Sequence, residues 1–239
     1  MKKFIFLIIL SFAVQAAHSQ GKFKEVKIAQ DVIDNYITAI GGADKLKKIK
    51  SETQSGTFKV QNVEGSYMAF RNDTIYVTKA VGKMEGKDTL MLMSLTTKNY
   101  AWEYQMGAMS DFTGEELQNK AENLIIGSLR FYLNYKKYGY SAELKGADSV
   151  NGKECYKVLI KKSGKELRTN YFDRKTFYVL RSDRPYGQSL EYDDYKVVKG
   201  IIRPFKIIHH TQVEIEQLVS EYKFNKAIDS ALLVKPTND

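Results

Sequence analysis

The fold class is decided by the stretch Val150-Asn151-Gly152-Lys153-Glu154-Cys155-Tyr156-Lys157-Val158. Asn-Gly is the dipeptide that most favours a two-residue β-hairpin turn. The residues after it alternate between apolar and polar, as in a strand with one face buried. The stretch therefore predicts two antiparallel strands, residues 140–148 and 154–162, joined by a tight turn.

Short runs of period two continue from this hairpin in both directions along the chain. Sixteen tyrosines and only three prolines suit a protein made largely of strands. The turns between the runs are short, for example Ser163-Gly164 and Lys199-Gly200. We predict an antiparallel meander of eleven or twelve strands, with the other strands at residues 53–61, 65–71, 73–81, 89–95, 98–105, 166–172, 177–182, 188–198, 201–210 and 212–223.

Helical spacing of apolar residues interrupts the strands twice. The first predicted helix covers residues 28–40, ends at Gly41-Gly42 and is followed by a short continuation over 43–49. The second begins with Thr113 as predicted N-cap, with Glu116 completing a capping box, and continues to Gly127. A further apolar stretch, residues 129–138, is also predicted to be helical.

Several early strands are apolar on both faces, since Leu90 and Leu92 alternate with Met91 and Met93. The simplest account is an α+β fold: a strongly curved antiparallel half-barrel of about 11 strands, with the helices covering its concave face. Such a sheet can enclose an apolar cavity, although a completely packed core would give the same pattern. No linker divides the chain, so residues 20–239 are predicted to form a single domain.

Residues 1–19 are typical of a secretory signal peptide. Lys2 and Lys3 are followed by a short apolar run over residues 4–14 and by Ala17-His18-Ser19, a small-x-small cleavage pattern. The run is too short for a permanent membrane anchor, and no cysteine lies at the cleavage site for a lipid anchor. We therefore expect an exported chain, periplasmic or secreted. Removing these residues lowers the formal net charge from +9 to +7.

Nucleic-acid binding and catalysis are not expected. The basic residues are dispersed and do not alternate with aromatic residues as a base-stacking surface requires. His209 and His210 are adjacent in a predicted strand and point to opposite faces, as do Asp193 and Asp194. Cys155, the only cysteine, is expected to pack as a small apolar residue. We predict no enzyme, no metal and no cofactor.

The order of these elements resembles the LolA/LolB superfamily of periplasmic lipoprotein carriers and outer-membrane lipoprotein receptors. The resemblance covers nearly all of the chain after the signal peptide, but each motif is short and mostly structural. The similar segments are residues 34–42 with 44–46, Tyr100-Ala101-Trp102, residues 113–117, 150–158, 171–176 and 200–205.

This resemblance implies a hydrophobic cavity that shelters acyl chains in transit, with lipid or lipoprotein acyl chains as ligand and inner- and outer-membrane envelope proteins as partners. A monomer is expected. The predicted cavity residues are Met68, Phe70, Met91, Met93, Tyr100 and Trp102 from the strands, and Ile33, Ile37 and Leu124 from the helices. The alternative is a non-catalytic interaction module of the same fold with a filled core.

The resemblance also implies a latch. In the carriers, a basic residue at the end of an early strand ties the sheet to the covering helix, and Arg71 stands near the matching place. Asn72 occupies the position where the carriers have proline, and a solvated hairpin arginine is the alternative interpretation.

Overall fold

The computed structural model describes residues 23–236, so the predicted signal peptide lies outside the described part. Four α-helices are present, with a 3₁₀ turn after the last: α1 (Ala29–Ala39), α2 (Ala43–Lys48), α3 (Gly114–Ile126) and α4 (Phe131–Asn134). The strands are β1 (Ser51–Val60), β2 (Val63–Asn72), β3 (Ile75–Met84), β4 (Lys87–Thr97), β5 (Ala101–Gln105), β6 (Ala108–Phe112), β7 (Tyr140–Val150), β8 (Lys153–Lys162), β9 (Lys165–Asp173), β10 (Val179–Asp183), β11 (Ser189–Val198), β12 (Ile201–His210) and β13 (Glu214–Phe224).

All thirteen strands form one antiparallel sheet, in the order β6-β5-β4-β3-β2-β1-β13-β12-β11-β10-β9-β8-β7. Strands β6 and β7 are its two edges, so the sheet is open. The hairpin at Asn151-Gly152 forms as predicted, with both turn residues at positive φ. Only one pairing, β1 with β13, joins strands that are not consecutive along the chain.

The predicted count of eleven or twelve strands is too low, because the structure has thirteen, one more than the twelve ranges predicted from the sequence. The missed strand is β6, five residues long and paired with β5 through a turn at Met106-Gly107. Both turn residues adopt positive φ, but Met-Gly lacks the turn preference of Asn-Gly. The strand itself has little apolar alternation. Neither the turn nor the strand therefore gives a clear signal in the sequence.

The contacts of α3 show that the sheet is strongly curved. Lys120 pairs with Glu103 of β5 at 3.1 Å, and Glu122 pairs with Lys162 of β8 at 2.7 Å. Strands β5 and β8 are ten positions apart in the sheet, which would separate them by about 48 Å if it were flat. One helix of 13 residues touches both, so the sheet curls around α3 and the helix side is its concave side.

The core is divided among several apolar clusters. One lies between α1, α4 and strands β7–β9, and contains Ile33, Phe131 and Phe172. A second joins the end of α1 and α2 to strands β11–β13. A third is formed by strands β3–β5 with Leu232, which belongs to the C-terminal segment.

None of the helices in the described part of the chain is long and apolar enough to cross a membrane.

Candidate functional site beneath the covering helices

The structure places the predicted cavity residues on both faces of the sheet. Directly paired residues share a face, and Phe70, Val77, Leu95 and Trp102 form one such row across four strands. Arg71 points the other way, toward α3. The row that includes Phe70 and Trp102 therefore lies on the convex face, away from the helices.

The C-terminal segment covers this convex row. Leu232 packs in the same cluster as Trp102, and Lys235 bonds Asp111 of β6 at 2.6 Å. Met68 and Met93 lie in the adjacent row of the same face, since both pair with Lys79. Trp102 is only 1% exposed as a result.

The other predicted residues lie elsewhere. Ile33, Ile37 and Leu124 are on the helices, and Ile33 is completely buried against β8 and β9. Met91 stands at an irregularity of β4 and packs over Gly82, where a Cβ would come within 2.2 Å of its sulfur. Tyr100 is 45% exposed in the turn before β5. The nine residues thus form no single wall, and a ligand-binding role for them stays a prediction.

Arg71 connects the sheet to the covering helix. Its Nη1 donates to the carbonyl oxygens of Leu124 at 2.9 Å and Asn123 at 3.3 Å, in the last turn of α3. The final carbonyls of a helix lack partners within the helix, and a cation there is favoured by the helix dipole. Burial lowers the pKa of Arg71, whereas Tyr76 and Glu52 favour its charged form.

Gly127, the C-cap of α3, leaves room for this contact. A Cβ at Gly127 would lie 2.1 Å from Nη1 of Arg71, so any side chain there would displace the guanidinium. Just beyond it, Arg130 forms an ion pair with Asp73, which follows β2. The end of α3 is therefore held against the end of β2 at two points. A role for Arg71 in opening and closing stays a prediction.

Other polar contacts attach α3 along its length. Glu122 accepts a hydrogen bond from the hydroxyl of Tyr140, and Lys165 of β9 approaches Glu115 at 3.3 Å. Only Ala121, Leu124 and Ile126 of α3 are buried. The predicted capping box is wrong, because Thr113 takes the N-cap position without a side-chain hydrogen bond to the helix. Helix α1 is held mainly by apolar residues, with Val32 and Ile33 completely buried.

Buried polar groups accompany the apolar ones on the concave face. Arg203 of β12 pairs with Glu52 of β1 at 2.8 Å, and both side chains are largely buried. Asn170 of β9 donates to the hydroxyl of Tyr132, and Arg168 donates to Asn123 Oδ1 at 3.0 Å. The sequence gives no signal for these residues, since each stands alone in its strand.

Two pockets formed by the described residues are small. One of about 180 Å³ is lined by residues of β7, β8 and β10–β12, among them Leu180, Glu191 and Lys206. Another, of about 20 Å³, lies beside Arg71 and Glu52. Ligand pockets usually measure about 300 to 1,000 Å³. Beneath α1 and α4, Ile33, Phe131 and Phe172 are each at most 2% exposed, so side chains fill this part of the concave side in this conformation.

The adjacent acidic residues Asp193 and Asp194 are each close to a lysine. Asp193 is 3.9 Å from Lys153, and Asp194 is 2.6 Å from Lys196. His209 and His210 point to opposite faces, since His209 is near Gln217 whereas His210 lies between Glu191 and Glu214. Cys155 is completely buried, in a cluster with Tyr171 and Leu180.

No family model matches the chain, and no curated protein matches it. Several solved structures share its fold. A DUF1329 family protein from Desulfovibrio piger is 12% identical, with a TM-score of 0.54 over 86% of this chain and 97% of that one. A LolA superfamily protein from Nitrosomonas europaea is 12% identical, with a TM-score of 0.54 over 88% and 99%.

The chain has a LolA-like fold. A putative outer membrane lipoprotein-sorting protein domain from Vibrio parahaemolyticus also resembles it, at 10% identity and a TM-score of 0.53, over 85% of this chain and 94% of that one. At such identities the likeness shows the fold alone.

Proposed function

We propose that this LolA-like chain is a carrier or binder in the bacterial envelope that holds the acyl chains of a lipid or an acylated protein. The observation that carries the proposal is the attachment of α3. This helix bridges distant strands of a curved sheet through ion pairs and hydrogen bonds, and it buries only Ala121, Leu124 and Ile126. Such a helix can leave the sheet without unfolding it.

Opening is required because the concave side is filled. An acyl chain would displace α3 and take the place of Leu124, Ile126 and Ala121 against the sheet. Burying the fourteen or so methylenes of a palmitoyl chain is worth about 11 kcal/mol. A partly exposed ion pair contributes only about 0–1 kcal/mol. The gain can therefore offset the loss of the contacts that hold α3.

A fluorescent fatty-acyl probe tests this proposal on the chain from residue 20 onward. We expect saturable binding that unlabelled palmitate displaces. Hydrogen–deuterium exchange of the complex should show faster exchange in α3 and unchanged exchange in the paired strands β11–β13. Binding that leaves α3 exchange unaltered would place the probe outside the concave side and contradict the proposal.

The second candidate is a non-catalytic envelope interaction module with the same fold. The filled concave side favours it, as does the pocket of about 180 Å³, whose lining includes Asn151, Lys153, Glu191 and Asp193. These polar groups suit a polar partner rather than an acyl chain. Absence of probe binding, together with purified protein free of lipid by mass spectrometry, would favour the module.

A further inference from the structure

The seven arginines of the chain fall into two groups. Among residues 23–236, Arg130, Arg174, Arg181 and Arg203 each form an ion pair with a carboxylate. The remaining three are Arg71, Arg168 and Arg184. No carboxylate of the described residues lies within ion-pair distance of them, and outside this range only Asp239 has an acidic side chain.

All three unpaired arginines belong to the concave side. Arg71 reaches the end of α3, and Arg168 is on the same face of β9 as Asn170, which bonds Tyr132. Arg184 follows Asp183, the end of β10. Its backbone is extended, so its side chain points to the same face as that of Ser182, two residues earlier, which pairs with Asn170. The charge of Arg184 lowers the pKa of Arg168, after the larger effect of burial.

Two of these guanidinium groups meet at a single residue of α3. Arg71 donates to the backbone oxygen of Asn123 at 3.3 Å, and Arg168 donates to its side-chain oxygen at 3.0 Å. In a flat sheet, β2 and β9 would lie about 29 Å apart, six strand positions. Curvature brings the two cations together, and both use neutral oxygen atoms as their partners.

Several donors in this region are buried without a hydrogen-bond partner. Arg168 is only 7% exposed, and its Nε makes no hydrogen bond. The Nε of Arg184 and the hydroxyl of Ser182, which is 1% exposed, are also unpartnered. Ser182 pairs with Asn170 across the strands and shares its face. Buried charges and donors are costly unless an acceptor satisfies them.

We propose that Arg71, Arg168 and Arg184 form a binding site for the oxyanion headgroup, phosphate or carboxylate, of the amphiphile that the protein carries. Planar guanidinium groups match the oxygen pairs of these anions. When α3 moves, Arg71 and Arg168 lose Asn123 as acceptor, and the headgroup replaces it. This inference rests on the proposed carrier function and specifies its ligand class: anionic rather than neutral lipids.

The test compares dodecyl phosphate with dodecanol by calorimetry, below the micelle concentration of the phosphate and the solubility limit of the alcohol. We expect dodecyl phosphate to bind about tenfold tighter or more, the effect of charge-assisted hydrogen bonds. Arg184→Gln should weaken dodecyl phosphate binding about tenfold and leave dodecanol binding unchanged. Arg168→Gln also frees Asn123 of α3, so the expected result is that the ratio of the two affinities falls about tenfold. Arg174→Gln, the same change at an exposed arginine, is the matched control and should alter neither.

Different outcomes separate this inference from the carrier function. Equal affinities for the two amphiphiles would overturn the headgroup site and leave the carrier function standing. If neither amphiphile binds, both the headgroup site and the carrier function are contradicted. If inorganic phosphate binds as tightly as dodecyl phosphate, and Arg168→Gln abolishes that binding, the arginines form a site for a free anion. That result would overturn the proposal of an amphiphile headgroup. Thermal unfolding checks that the variants fold. Because Arg184→Gln removes a cation that has no carboxylate partner, it should not lower Tm.

Discussion

Arg71 shows how one side chain can set the stability of the covering helix. Its guanidinium donates a hydrogen bond to the carbonyl oxygen of Leu124 in the last turn of α3, where backbone carbonyls lack donors within the helix. We expect Arg71→Gln to speed amide exchange in the last turn of α3 by about tenfold or more, since hydrogen bonds to charged groups contribute about 1.5–3 kcal/mol. Hydrogen–deuterium exchange measures the effect.

Two further variants isolate the cause. Gly127→Ala should give a similar increase, because its methyl group would occupy the position of the guanidinium without removing the charge. Arg174→Gln should leave α3 unchanged, since its side chain contacts Glu154 at the start of β8, whereas α3 contacts Lys162 at the other end of that strand. Unaltered exchange in both Arg71→Gln and Gly127→Ala would show that the contact does not hold the helix.

His209 makes the stability depend on pH. Burial lowers the pKa of this imidazole from 6.5 to about 4, with the nearby charge of Arg184 adding to the effect. The folded state therefore prefers neutral His209, and its contribution is complete above about pH 6.5 and is lost as the pH falls toward 4. The loss is at most about 3 kcal/mol.

The measurement is Tm between pH 7.5 and 4.5. His209→Gln should flatten this part of the curve, whereas His210→Gln, on the opposite face, should retain the slope of the natural sequence. Equal slopes for all three proteins would show that His209 is protonated without cost in the folded state.

At the residue scale, the sequence indicates Arg71 only because its surroundings resemble a family motif. Arg168 and Arg184 could not be recognised, because a lone arginine in an alternating strand looks the same whether water or a helix covers its face. Their significance depends on sheet curvature, which brings residues of distant strands together.

At the scale of elements, the C-terminal segment is part of the core. Leu232 is 7% exposed and packs with Val77, Leu95 and Trp102. We expect Leu232→Ala to lower the free energy of unfolding by about 2–4 kcal/mol. It should also shift the emission of Trp102, the only tryptophan, to longer wavelength.

Leu233→Ala is the matched control, because this neighbouring leucine is 36% exposed. It should change the free energy of unfolding by less than about 1 kcal/mol. Equal losses for the two variants, or unchanged Trp102 emission in Leu232→Ala, would show that the segment does not cover the convex face.

Most elements could be predicted because their signals are local. Alternation and turn residues locate the hairpin at Asn151-Gly152, and apolar spacing locates α1 and α3. The covering of the convex face could not be predicted, since both faces of β4 carry apolar residues and the C-terminal segment has no regular pattern. This is why Trp102 and Phe70 were expected inside the half-barrel.

At the scale of the whole molecule, ion pairs contribute more to the attachment of α3 than to that of α1. Both helices bury apolar residues, Ala29, Val32 and Ile33 in α1 and Ala121, Leu124 and Ile126 in α3, but α3 is also linked to β5 and β8 by the ion pairs Lys120–Glu103 and Glu122–Lys162. Apolar contacts persist in salt, but partly exposed ion pairs are screened, since the Debye length falls from about 10 Å at 0.1 M to about 3 Å at 1 M.

Salt should therefore loosen α3 and leave α1 in place. Between 0.05 M and 1 M sodium chloride, we expect amide exchange in α3 to become several-fold faster and that in α1 to stay constant. If α3 is the entry to the concave side, association of a neutral acyl probe should accelerate over the same range. Lys120→Gln should reproduce part of the effect at low salt, because it removes the link to β5. Parallel changes in both helices would mean that they move as one unit, and α3 alone could not admit the ligand.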